Sequence, residues 1–96
     1  MLGPSMAPTL ADGDTVLVRN SNQPLPGDVV LVRWVERPAQ LSVKRAIRSD
    51  DDGRTWFVIG DNLFGSTDSR ELGPATVLGV VTRRLWPRPK KIRRKI

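Results

Sequence analysis

The stretch Asp28–Val35, DVVLVRWV, contains the longest nearly apolar run in the chain, and Arg33 interrupts it. A membrane-spanning helix needs about 20 consecutive apolar residues, so a run this short and this rich in valine reads as a strand. Four further segments share its character: Thr15–Arg19 (TVLVR), Leu41–Ser49 (LSVKRAIRS), Thr55–Ile59 (TWFVI) and Thr76–Leu85 (TVLGVVTRRL). Turn-forming residues separate them: Gly13, QPLPGD at 23–28, ERPAQ around Pro38, DDDG at 50–53 and ELGPA around Pro74. No window carries a sustained 3.6-residue apolar stripe. The pattern predicts an all-β, single small domain, a coiled or barrel-like sheet. Leu41–Ser49 and Thr55–Ile59 should form a hairpin turned by its Asp-Gly step. The same DDDG lacks the alternating carboxylates of a calcium loop and reads as a solvated turn.

The chain has 96 residues, enough for one core. It contains no histidine, cysteine or tyrosine. A Ser/His/Asp triad, a thiol nucleophile, a disulfide and a thiolate zinc site are therefore excluded. Any metal would be a hard one held by oxygen, and none is expected. A proton shuttle working near neutrality would have to be a carboxylate or a lysine shifted by its surroundings.

The net charge of +6 is unevenly placed. Arg83, Arg84, Arg88, Lys90, Lys91, Arg93, Arg94 and Lys95 crowd the end of the chain, whereas residues 1–82 hold eight basic and ten acidic side chains. We therefore divide the sequence into a body, 1–82, and a basic tail, 83–96. The tail suits either plain solvation or weak contact with an anionic surface. The N-terminus lacks the basic and apolar regions of a secretory signal, so a cytoplasmic location without a transmembrane anchor is expected.

Three segments stand out chemically. In Gly3–Leu10, GPSMAPTL, Pro4 and Pro8 stiffen the backbone around Ser5. In Gly60–Arg70, GDNLFGSTDSR, a dense polar loop follows an apolar strand, and Asp68 and Arg70 are spaced to pair across a turn. Between them lies Lys44, which strand alternation groups with Ser42, Ala46 and Arg48, away from Leu41, Val43 and Ile47. Alternation alone puts Lys44 outside. To act as a base it needs a second layer that strips water from its ammonium and lowers its pKa from about 10.4.

In this order, SMAPTL, VKRAI and GDNLFGSTDSR resemble the serine, lysine and C-terminal boxes of the type I signal peptidase family, over roughly Gly3–Val81. The resemblance implies the fold of a signal peptidase catalytic core and a serine endopeptidase in which Ser5 is the nucleophile and Lys44 the general base. It implies that Ser66 orients the lysine and that Gly60, Asp61, Asn62, Asp68 and Arg70 support the site. The backbone N–H of Ser5 is the expected oxyanion donor, with Gly3 standing where bacterial relatives often carry a second, hydroxyl donor. Met6, Trp34 and Leu63 are candidate walls of the substrate pocket.

A short member without an anchor is similar to the branch of the family that matures nickel-type superoxide dismutase. That likeness implies a protein substrate bearing an N-terminal propeptide, and no cofactor. The alternative is a signal peptidase catalytic core that cleaves signal peptides. A basic β-barrel binding nucleic acid is a further alternative, which the 5% aromatic content disfavours, so no nucleic acid partner is expected.

Overall fold

The computed structural model describes residues 6, 9–11, 13–62 and 67–94. Six strands and one turn of helix follow in the order β1 (Thr15–Asn20), β2 (Val29–Trp34), β3 (Arg37–Arg48), β4 (Phe57–Ile59), α1 (Ser69–Leu72), β5 (Ala75–Trp86) and β6 (Lys90–Lys91). They make one antiparallel sheet in the order β1-β5-β2-β3-β4, with β6 on β5. The all-β expectation holds. The sheet is not closed into a barrel, however: a single bridge, Trp56 with Ala75, ties the start of β4 to the start of β5.

Two elements depart from the sequence expectation. β3 begins at Arg37 and runs through Pro38, where the sequence pattern predicts a break. The register explains this, because Trp34 faces Arg37 while Arg33 faces Leu41, so Pro38 sits in a bulge where no ladder N–H is required. The expected junction at 82/83 falls inside β5, which continues to Trp86 before the chain returns as β6. The hairpin joining β3 and β4 is turned as expected, with Asp52 at φ 59° and Gly53 at φ 86°. Within it Asp51 accepts from the Thr55 N–H and hydroxyl and from the Ser49 hydroxyl, and these bonds hold its carboxyl down at about 2.

Both faces of the sheet are covered in the middle. One face packs Val30, Val32, Trp34, Ala46, Trp56, Val58, Ala75, Val77 and Val80 together. The other packs Val29, Val43 and Val81 against Met6 and Leu10 from the N-terminal segment and Ile92 from the tail. Ile92 also donates its N–H to the Thr82 carbonyl, so the tail up to this point is part of the packed body.

Gly79 marks the crossing point. It is in register with Asn20 of β1 and with Leu31 of β2, so β5 is gripped on both edges there. A Cβ at this position would land on Val18 Cγ1 and 2.9 Å from the Arg19 carbonyl oxygen. Backbone cannot yield as a side-chain tip can. Gly79→Ala is expected to cost about 1–3 kcal/mol, read as a lower urea midpoint with an unchanged slope; an unshifted midpoint would contradict the close approach.

Candidate active site

Lys44 lies in the middle of β3, opposite Val30 of β2, and is only 4% exposed. The outward position that alternation suggested is therefore corrected. The sheet coils, so the face carrying Lys44 and Ala46 turns inward at this point, and Ala46 is wholly buried. Removing water from the ammonium lowers the Lys44 pKa from its ordinary 10.5, and the negative charge of Asp68 opposes that shift without cancelling it. A lysine in this setting gives up its proton more readily than a solvated one.

Asp68 is fully buried and organises the loop around it. Its carboxylate caps α1 by accepting from the Arg70 N–H at 3.2 Å, and it accepts from the Gly60 N–H at 3.1 Å. The Arg70 guanidinium grips it with Nε at 2.9 Å and Nη2 at 2.8 Å. That two-pronged contact is the pairing the spacing suggested, and it raises the Arg70 pKa further. The next residue, Ser69, accepts from the buried Val58 N–H, which fastens the helix start to β4.

A second ion pair was not foreseen. Arg45 and Asp61 are joined through both guanidinium Nε and Nη2, with side chains 5% and 6% exposed. Arg45 Nη1 also donates to the carbonyls of Gly27 at 2.9 Å and Arg93 at 3.1 Å. Thr9 donates its hydroxyl to the same Asp61 carboxylate. One carboxylate, that of Asp61, thus links the three segments singled out in the sequence: it accepts from Thr9 of the first and from Arg45 beside Lys44, and itself belongs to the third. The signal was present, since Arg45 sits between Val43 and Ile47 on what alternation marks as an apolar face.

The other candidates fall as follows. Gly60 is buried and Asn62 half-buried, next to Asp61. Met6 is fully buried in the core with Leu10. Trp34 is wholly enclosed, its Nε1 donating to the Ser42 hydroxyl at 2.9 Å, which makes it a core residue with no surface for a peptide. Gly3, Ser5, Leu63 and Ser66 lie outside the described residues. No helix among the described residues is long and apolar enough to cross a membrane.

Comparison with known proteins adds an independent line. The family model described as Peptidase S24-like matches residues 1–82. The chain is 33% identical over 114 residues to the mitochondrial ATP-independent inner membrane protease subunit 1a of Arabidopsis thaliana, covering 88% of this chain and 67% of that protein. It is 31% identical over 111 residues to mitochondrial inner membrane protease subunit 1 of Xenopus tropicalis, and 30% identical over 111 residues to the same subunit of Homo sapiens. Each of those alignments covers 88% of this chain and 66% of the relative, so the chain spans about two thirds of the length of these proteins. The expected cytoplasmic location is overturned by these matches, because all of these relatives are inner-membrane proteases. Nor do the matches single out the branch that matures nickel-type superoxide dismutase.

Proposed function

The chain belongs to the Peptidase S24-like family and is a protease of the signal-peptidase clan, and from that premise we propose that it is a Ser5/Lys44 endopeptidase that removes an N-terminal extension from a precursor protein. The observation that carries this reading is the burial of Lys44, with its lowered pKa, in a chain that has no histidine to serve as base.

In this mechanism the neutral Lys44 amine takes the Ser5 hydroxyl proton as Oγ attacks the scissile carbonyl carbon. The oxyanion that forms is held by the backbone N–H of Ser5, with Gly3 beside it. The ammonium returns the proton to the leaving amine, the C–N bond breaks, and an acyl ester remains on Ser5. Water, losing a proton to the same amine, then releases the acid and restores the serine. Ser66 orients the amine by a hydrogen bond. Asp61, Asn62, Gly60, Asp68 and Arg70 hold the surrounding loop in place, and Leu63 borders the substrate, whereas Met6 is core.

We assign the substrate class as precursors carrying a targeting or signal extension, because the relatives are inner-membrane proteases. A nickel-type superoxide dismutase precursor is a narrower reading of the same chemistry, suggested by the short GPSMAPTL segment. Incubation with both precursors, with the new N-termini read by mass spectrometry, separates the two. The targeting precursor is expected to be cut at one bond. Cleavage of the dismutase precursor alone would reverse the substrate assignment, and cleavage of neither would refute the processing role.

A further inference from the structure

Beyond residue 82, where the family match stops, the chain makes contacts that a solvated tail would not make. Among the described residues 85–94 Ile92 alone is buried, at 8% exposure, although Lys90, Lys91, Arg93 and Arg94 surround it in sequence. Its side chain belongs to the cluster that contains Met6 and Leu10, and its N–H donates to the Thr82 carbonyl at 2.9 Å. Met6 and Leu10 are themselves tied, since Leu10 donates its N–H to the Met6 carbonyl at 3.0 Å. The carbonyl of the next tail residue, Arg93, accepts from Arg45 Nη1 at 3.1 Å. Arg94 Nε lies 3.3 Å from Asp28 Oδ1, an exposed contact that adds little.

The partners of residues 92 and 93 are not spread over the sheet. Met6 directly follows Ser5 in the chain, and Arg45 directly follows Lys44. Thr9 is joined through Asp61 to the same Arg45 guanidinium. The tail therefore reaches both segments that carry the proposed dyad, one through an apolar anchor and the other through a carbonyl. Thr9, Arg45, Ile92 and Arg93 also line a common cavity of about 510 Å³, so a shorter side chain at 92 would leave the first segment room to shift. An error of about 1 Å in the placement of a reacting group can cost about 100-fold in rate. Lys44 itself lies away from this contact: Ala46, on its side of β3, packs in the first apolar cluster, whereas Val43 and Ile92 pack in the second.

We propose that Ile92 and the Arg93 carbonyl form a clasp that positions the nucleophile, holding the chain next to Ser5 against the sheet so that its hydroxyl meets Lys44. Ile92 is thus a positioning residue. The inference rests on the Ser5/Lys44 reading and extends it to chain outside the family match.

The test is acylation of the full chain by a peptidyl p-nitrophenyl ester, in which Ser5 Oγ bonds to the acyl carbon and p-nitrophenolate leaves. The amplitude of the burst counts competent molecules, and its rate reports their geometry. Ile92→Ala is expected to slow acylation about 10-fold at unchanged amplitude, with the midpoint of the pH profile unmoved because Lys44 keeps its surroundings. Ile92→Val should slow it about 3-fold, so the result does not depend on the alanine variant folding. Lys91→Ala, beside the anchor but exposed, should acylate as the wild type does. An unchanged rate in both Ile92 variants, a lost amplitude at unchanged rate, a shifted pH midpoint, or an equal loss in Lys91→Ala would overturn the clasp alone. A wild type whose acylation does not depend on Lys44 would remove the dyad, and the clasp with it.

Discussion

Replacing Lys44 with alanine is expected to lower kcat/KM for precursor cleavage by about four orders of magnitude while the sheet stays folded. The loss should be this large because no other side chain can take over: the chain has no histidine, and Lys44 is the only lysine before residue 90. Lys44→Arg should not rescue activity, since a guanidinium keeps its proton. Ser5→Ala should fall to the same level, and the double variant no further, because the two groups act on one proton. For the wild-type enzyme, activity should rise with pH to a plateau whose midpoint lies below 10.5, because burial favours the neutral amine. Stability should follow the same group. The folded state binds the Lys44 proton less readily than the unfolded chain, so stability increases with pH from the lowered folded value up to 10.5. That increase should be missing in Lys44→Ala. A variant retaining more than a tenth of wild-type activity would remove the lysine from the mechanism.

Arg45→Ala is expected to have the largest effect on the fold. It would remove the guanidinium from the Asp61 carboxylate, 6% exposed, and free the Gly27 and Arg93 carbonyls. Breaking a buried pair from one side costs about 3–5 kcal/mol, most of it from the uncompensated charge. The double variant Arg45→Met with Asp61→Leu should lose less than either single substitution, since neither charge is left buried alone. Arg45→Lys should recover little, because one ammonium cannot reproduce four hydrogen bonds to three segments. Denaturant unfolding of the wild type, Arg45→Ala, Arg45→Lys, Arg45→Met, Asp61→Leu and the double variant checks this order; additive losses in the last three would show that the pair is not coupled.

Strand content was legible because β-branched residues and turn residues alternate cleanly along the chain, and four strands begin within two residues of their expected starts. What periodicity could not give was which face is covered. Around residues 43–46 both faces of β3 are buried, by the coiled sheet on one side and by Met6, Leu10 and Ile92 on the other, so alternation no longer separates inside from outside. Lys44 was misplaced for that reason. Arg45 was overlooked because its partner Asp61 lies in a loop whose composition already had a sufficient explanation in local turns. The Asp68–Arg70 pair was legible because it is local, two residues apart. β6 was not, because two lysines have no strand propensity of their own and are held by the register of β5.

The proposed dyad makes one covalent demand, which is that Ser5 becomes acylated and that Lys44 makes this possible. A peptidyl ester that acylates the enzyme, followed by proteolysis and mass spectrometry, reads that event directly. The account predicts one adduct, on Ser5, formed by the wild-type protein and lost in the folded Lys44→Ala variant. An adduct on another residue, or one formed on Ser5 at the same rate without Lys44, would contradict it.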